Sequence, residues 1–347
     1  MALLILEGVE KSFHDTPVIK GLNLTIEPGD FVALLGPSGC GKSTILRMLA
    51  GFETVSDGQI IHGGSCLSSS TQHVPTEDRN FGMVFQSYAL WPHMTVKENV
   101  GYPLKVLKVS SAESQQRIKE ALEIVQLEEF ADRLPAQLSG GQRQRVALAR
   151  SLVTEPDVVL FDEPLANLDR HLRATMEETF RAFHKRTGAT IVYVTHDQSE
   201  AMSLADKIAV LNKGELVQWG TPQELYSTPR NTWLANFIGR GAVLSVGTVA
   251  PRQYISGQYL HELMQQSPTE KSTGSVLVRP QDIHFVSGQS GALVACVHSC
   301  VFRGERYDIE LTLKDGQCLL AYSDVPMALE SLHYVRLQQA WSLEGES

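Results

Sequence analysis

The chain has 347 residues, 43% apolar and 20% charged, a composition that supports one full domain and a smaller second one. Its formal charge of -9 and pI near 5.7 exclude a broad nucleic-acid interface, which needs a basic face to release counterions from the phosphate backbone. No apolar run reaches the roughly 18 to 20 residues that cross a bilayer, so any role at a membrane is expected to run through other chains.

The opening MALLILEGVEKSF is apolar for six residues and then carries Glu7. It lacks the basic start, long apolar stretch and small-residue cleavage site of a signal peptide, and reads as the first strand of a cytoplasmic protein. Strands are expected over residues 3–10 and 22–27, around the turn-rich KSFHDTPV, and again at FVALLG after the turn Pro28-Gly29-Asp30. That strand runs into PSGCGKST and then ILRMLAG, where Ile45, Met48 and Leu49 have helical spacing and Gly51 suits a C-terminal cap.

From Ser110 to Leu134 a single amphipathic helix is expected, with serines for an N-cap and Ile118, Leu122 and Val125 on one face. A second loop-to-helix junction follows at LSGGQRQRVALARSLV, then the strand DVVLFDEP, a helix near residues 168–187 and the strand TIVYVTHD. Strands alternating with helices predict an α/β core containing a parallel sheet. Past Gly239 short β-like runs take over, at SVLVRPQDIHF, ALVACVHSCVF, YDIELTL, QCLLAYS and YVRLQQ, and predict a small β domain. The polar stretch from Gln258 to Gly274 reads as a loop, with HELMQQ as a helical turn. Five scattered cysteines form no disulfide framework, and Cys296 and Cys300, although they flank His298, read as strand packing and not as metal ligands.

Gly36-Pro37-Ser38-Gly39-Cys40-Gly41-Lys42-Ser43 matches the phosphate-binding loop in the strand-to-helix context that the pattern requires. Its backbone N–H groups can wrap phosphate oxygens, Lys42 adds a point charge for the β and γ phosphates, Ser43 is placed for Mg²⁺, and Thr44 is a second hydroxyl beside it. Val158 to Phe161 form a buried apolar run that ends on Asp162 and Glu163, and a cation is the natural compensation for carboxylates in such a place. In phosphate-loop ATPases an aspartate there holds the metal, which assigns Mg²⁺ to Asp162 and leaves Glu163 to polarise the attacking water. Leu138-Ser139-Gly140-Gly141-Gln142 opens another helix and offers a second anion site on the same chain.

With these motifs the chain resembles the nucleotide-binding subunit of an ATP-binding cassette (ABC) transporter, whose signature is LSGGQ. The resemblance implies a RecA-like core with a helical subdomain near residues 88–155, together spanning 1–238, and an OB-like β-barrel domain over 239–347. It also implies two copies paired head to tail, so that Ser139, Gly140, Gly141 and Gln142 of one close over the ATP held by the other. Phe13 is similar to the family's adenine-stacking ring. Gln86, after FGMVFQ, resembles the glutamine that touches Mg²⁺ and water and senses the membrane subunit. His196 resembles the switch histidine that contacts the γ-phosphate and orders Glu163. Asn167 to Asp169, in LANLD, resemble the loop that meets the opposite cassette, although Ala166 stands where serine is usual.

The absence of a fused membrane span points to an importer of separate polypeptides, peripheral on the cytoplasmic side of the inner membrane. Its permease would dock near the Gln86 loop, where Tyr88 and Trp91 are either an exposed aromatic pair or part of the helical subdomain's core, and a receptor protein would act indirectly. Val278 to Asp282 resemble the transport-associated domain of sugar, polyamine and ferric-iron importers, and FIGRGAVLSV at 237–246 is most similar to the iron group. A non-transport cassette would carry a paired cassette, a coiled-coil insertion or a zinc module, none of which the sequence contains, and a binding-only regulator would not need Glu163 and His196.

Overall fold

A computed structural model describes residues 2–166, 170–265, 274–288 and 291–344. The chain separates into two compact units, Met1–Pro222 and Gln223–Ser347.

In the first unit β1 (Leu4–Phe13) and β2 (Thr16–Ile26) form an antiparallel hairpin. The strands run through most of the segment read as turn-rich, and the reversal is confined to His14 and Asp15, with His14 at φ 53. Burial of Val9, Lys11 and Ile19 on the inner face extends the strands, since the Lys11 ammonium donates to the Thr54 carbonyl at 2.7 Å and pairs with Glu53 at 3.2 Å. This hairpin joins β4 (Asp57–His62) and β5 (Ser65–Ser69) in a four-stranded sheet of order β2-β1-β4-β5.

The second sheet is built on β3 (Phe31–Leu35), β6 (Phe81–Val84), β7 (Val158–Asp162), β8 (Thr190–Thr195), β9 (Lys207–Asn212) and β10 (Glu215–Gly220), in the order β10-β9-β3-β8-β7-β6. Strands β9, β3, β8, β7 and β6 are parallel and β10 is antiparallel to β9. The apolar runs of β3, β7 and β8 are buried along almost their whole length, as a sheet covered on both faces requires. The helices of this unit are α1 (Lys42–Ala50), α2 (Val96–Val106), α3 (Ser111–Ile124), α4 (Gly140–Leu152), α5 (Arg170–Thr187) and α6 (Gln198–Leu204). The single helix expected over Ser110 to Leu134 stops at Ile124: Gln126 takes φ 57, buried Leu127 turns the chain inward, and Glu128–Phe130 continue as a 3-10 turn.

The chain passes to the second unit inside α7 (Pro222–Ser227), ahead of the composition change at Gly239, and α8 (Thr232–Phe237) follows. The remaining elements are β11 (Ala242–Val246), β12 (Tyr254–Ser256), α9 (Gly257–Gln265), β13 (Gly274–Val278), β14 (Ile283–Val286), β15 (Leu293–Phe302), β16 (Tyr307–Leu313), β17 (Cys318–Ser323), β18 (Leu332–Leu337) and β19 (Gln339–Ser342). They form two sheets, β11-β13-β19-β12 and β14-β18-β15-β16-β17, around one core that includes Leu244, Val276, Ala295, Ile309 and Val335, a β-rich unit consistent with a small barrel. Two expectations are corrected here. SVLVRPQDIHF is two strands, because Pro280 opens a 3-10 turn between them. The start of the supposed loop at Gln258 is helical in α9, where Leu260 and Leu263, one turn apart, bury against the sheets. Among the described residues no helix is long and apolar enough to cross a membrane.

Candidate functional site

Parallel register brings four strand ends to one edge of the sheet. Leu35 of β3 lies opposite Thr195 of β8, Asp162 of β7 opposite Val194 of β8, and Val84 of β6 opposite Phe161 of β7. The residues that follow these ends, Gly36, Glu163, His196 and Gln86, therefore leave the sheet side by side, at the carboxyl edge where open α/β sheets hold ligands.

The loop from Gly36 to Gly41 is held in place from below. A Cβ at Gly36 would stand 2.2 Å from the Leu211 carbonyl oxygen and 2.7 Å from the Cys40 sulfur, so the backbone must pass there bare. Gly41, at φ 105, forms the N-cap of α1 and packs on Ile19, whose Cδ1 a Cβ would meet at 2.3 Å. No side chain caps α1, which leaves its first-turn N–H groups for an anion. Lys42 is 5% exposed and its ammonium donates to the carbonyls of Gly36 at 2.7 Å and Pro37 at 3.0 Å, so the charge sits inside the curl of the loop. Burial raises the Cys40 thiol above its usual range against the pull of Lys42, and this side chain is a packing group. Ser38 and Gly39 are exposed, Ser43 is exposed, and Thr44 is half-buried.

The Ser43 hydroxyl donates to Asp162 Oδ1 at 3.4 Å. Burial pushes the Asp162 carboxyl up, the Ser43 bond pulls it down, and the charge of Glu163 pushes it up again. A desolvated carboxylate beside a hydroxyl oxygen is a hard donor pair that fits Mg²⁺ once phosphate oxygens complete the shell. Gln86, also expected at the metal, lies exposed in the turn from Phe85 to Tyr88, with the Tyr88 N–H donating to the Phe85 carbonyl at 3.0 Å.

Glu163 takes φ 45, a left-handed conformation rare for a side-chain-bearing residue, and its N–H donates to the Val194 carbonyl at 3.1 Å. The twist turns the carboxylate out of the sheet line to meet His196, with Nδ1 3.2 Å from Oε2. Behind His196 lies a network that sequence reasoning missed. Tyr193 and Thr195 hydroxyls donate to the buried Glu200 at 3.0 and 2.7 Å, and Arg173 donates to Asp197 at 2.7 Å with its Nε 3.6 Å from Glu200. Burial raises the Glu200 carboxyl, while the hydroxyl bonds and Arg173 counter it. The spacing Asp197-x-x-Glu200 signalled a capping box, but only Asp197 caps, through the Ser199 N–H at 2.8 Å.

The second junction is built from its own residues. Ser139 is the N-cap of α4; its hydroxyl accepts from the Gln142 N–H at 3.3 Å, and the Gln142 side-chain Oε1 accepts from the Ser139 N–H at 2.8 Å. The Ser139 proton remains available to another acceptor. Gly141 is tight against α5, where a Cβ would meet Leu172 at 2.6 Å. Among the described residues no hydrogen bond or ion pair joins Leu138–Gln142 to the phosphate loop, Asp162, Glu163 or His196.

Phe13 is 41% exposed, with the Lys11 ammonium 4.9 Å from its ring centre, so it is a surface ring at the end of a hairpin whose Val18 and Ile19 touch Gly41. Tyr88 and Trp91 are half-buried and do not form an exposed pair: Trp91 packs on Tyr102 at 4.3 Å and under the Arg150 guanidinium at 5.0 Å. Arg150, in the last turn of α4, also donates to the carbonyls of Ala89 at 2.6 Å and Tyr88 at 2.8 Å, which ties the signature helix to the Gln86 loop. Asn167 to Asp169 lie outside the described residues.

Residues 19–166 match the family model described as ABC transporter. The sn-glycerol-3-phosphate import ATP-binding protein UgpC 1 of Rhizobium johnstonii is 50% identical over 250 residues, 72% of this chain and 67% of that protein. The Fe(3+) ions import ATP-binding protein FbpC of Pasteurella multocida is 44% identical over 308 residues, 88% of this chain and 87% of that protein. A solved ATP-binding cassette, a dimer in a post-hydrolysis state bound to ADP and phosphate, superposes with a TM-score of 0.55 at 33% identity and covers 63% of this chain and 98% of its own. A cassette fold with that phosphate loop, and a likeness that runs through both units, mean that the chain belongs to the ABC transporter family, as an ATP-hydrolysing cassette of the import ATP-binding type.

Proposed function

We propose that the chain is the ATPase subunit of a ferric-iron importer, working as a pair on the cytoplasmic face of the inner membrane. The carrying observation is the reach of the likeness: the iron-import relative aligns over 88% of the chain, against 72% for the glycerol-phosphate one. In this reading residues 1–238 bind nucleotide and 239–347 form a transport-associated OB-type domain.

ATP lies on the curl of Gly36 to Gly41, with its adenine on the exposed Phe13 ring and its β and γ phosphates on Lys42, which exchanges two carbonyl partners for phosphate oxygens. Ser43 and Asp162 would hold Mg²⁺, with Gln86 reaching toward it and the water from the turn after the edge strand, and an ion bound there would offset charge on the phosphates. Glu163 accepts the proton of the attacking water. His196 orients that carboxylate through their 3.2 Å contact, and its chain neighbours are anchored, Thr195 on Glu200 and Asp197 on Arg173. Ser139, Gly140, Gly141 and Gln142 act on the nucleotide of a second copy, which fits a signature with no bond to its own phosphate loop. The permease docks on the helical layer, where α2 and α3 leave a groove of about 840 Å³ with Met94, Tyr102, Ile118 and Leu122 in its lining.

The test is Glu163→Gln. Hydrolysis should fall by about 100-fold or more while ATP binding persists and the ATP-bound pair accumulates. In cells, loss of labelled ferric-iron uptake with spermidine, maltose and glycerol 3-phosphate uptake intact supports the cargo. Loss of glycerol 3-phosphate uptake instead moves the same engine to that solute, and undiminished hydrolysis removes Glu163 from its role.

A further inference from the structure

In the second unit nine lysines and arginines face twelve carboxylates over residues 223–347, a net charge of -3, yet four of the nine gather in one place. β15 and β16 are joined by a tight turn, Arg303-Gly304-Glu305-Arg306, closed by the Arg303 N–H donating to the Arg306 carbonyl at 2.8 Å. Both arginines fold back onto Asp308: Arg303 Nε donates to Oδ2 at 3.0 Å, and Arg306 Nε lies 3.6 Å from Oδ1. Arg240 comes from the segment before β11 and donates to the same Oδ2. Arg279 is buried, donates to the carbonyls of Tyr226 and Arg240, and lies over the Tyr226 ring at 4.0 Å.

One carboxylate does not need three guanidiniums. Asp308 is 4% exposed, and although burial would raise its carboxyl, the bonds and charges of Arg303 and Arg240 hold it below the usual range. It is the only carboxylate in bonding reach of Arg240, Arg303 or Arg306 among the described residues, and Glu305 in the same turn bonds none of them. The bonded set therefore carries an excess of two positive charges. The three side chains are 47%, 57% and 47% exposed, and the Arg306 Cζ lies over the Tyr322 ring, 3.4 Å from its centre. Several forked donors, oriented by a buried anchor and a ring and left open to solvent, suit a tetrahedral oxyanion.

We propose that Arg240, Arg303 and Arg306 form an oxyanion site for inorganic phosphate or a small phosphate monoester, separate from the nucleotide site. The site is independent of the transported solute and of the ATPase reading. Its test is calorimetric titration of inorganic phosphate, and in a second arm glycerol 3-phosphate, into the full chain with excess ADP and constant ionic strength. The expected result is a binding isotherm weakened about tenfold or more by Arg303→Ala with Arg306→Ala, and tightened by Asp308→Asn, which removes the competing charge. Basal ATP hydrolysis should not change in the arginine variants. In the unmodified chain, phosphate should protect Arg303 and Arg306 from phenylglyoxal, read by mass spectrometry, so the outcome does not hang on a variant's folding. An isotherm identical in the native and double-variant chains, or equal labelling with and without phosphate, overturns the site.

Discussion

Two helices of the first unit, α1 and α4, begin at glycine-rich junctions, and these are built in opposite ways. α1 begins on Gly41, which has no side chain to cap it, and the adjoining lysine is parked on carbonyls of its own loop. α4 begins on Ser139, closed by a reciprocal box with Gln142. The first junction has donors and a charge whose natural partner is an anion, so it is a pocket completed by its ligand. The second has met its own needs and presents a finished surface, the form suited to something held by another molecule.

The most severe way to break this contrast is Lys42→Ala. Removing the only ammonium from the loop should lower ATP hydrolysis by about 100-fold or more and weaken nucleotide binding, with little change in thermal stability, because among the described residues the amine bonds only within its own loop, to the Gly36 and Pro37 carbonyls and the Cys40 sulfur. A filter-binding assay with labelled ATP checks the first part and a melting curve the second. Loss of stability without loss of binding would make Lys42 a structural strut.

Ser139 separates capping from catalysis. Alanine removes the cap, at about 1 kcal/mol, whereas aspartate caps as well as serine but adds a negative charge. If the hydroxyl donates to a phosphate across the pair, Ser139→Asp should melt like the native chain and yet hydrolyse about 100-fold more slowly, below Ser139→Ala. Equal activity in Ser139→Asp and the native chain would confine the serine to capping.

How much of this was legible depended on where the interactions lie. The phosphate loop, the β7 carboxylates and the signature are visible in the sequence because each is a short run of consecutive residues, and the structure puts them at the strand and helix ends expected. The sheet order is not visible there, since it depends on which strands pair across more than a hundred residues, such as β3 with β8. The length of the first hairpin was missed because Lys11 looks like a turn residue until its amine finds Thr54 and Glu53. The aromatic pair could not be placed for a related reason: Tyr88 and Trp91 are exposed only if nothing covers them, and Arg150, some sixty residues away in the chain, does. No local pattern announces that an arginine inside an amphipathic helix will cap another loop's carbonyls.

That arginine gives the finest test of how independent the two junctions are. Tyr88 and Ala89 take φ 62 and 46, each a strained choice for a residue with a Cβ, and the Arg150 fork bonds both carbonyls at once. Arg150→Lys keeps a charge but offers a point where two parallel donors stood. The Gln86 loop should then drift, and misplacement of that order lowers kcat by about tenfold, with little change in KM because the phosphate loop is untouched. Adding Ala89→Gly should recover part of the loss, since glycine takes a positive φ without strain and needs the clamp less. Steady-state ATP hydrolysis by the two variants decides it. A rise in KM at unchanged kcat would place the effect at nucleotide binding, and the absence of any rescue by glycine would mean that Arg150 acts on α4 alone and leaves the Gln86 loop to hold itself.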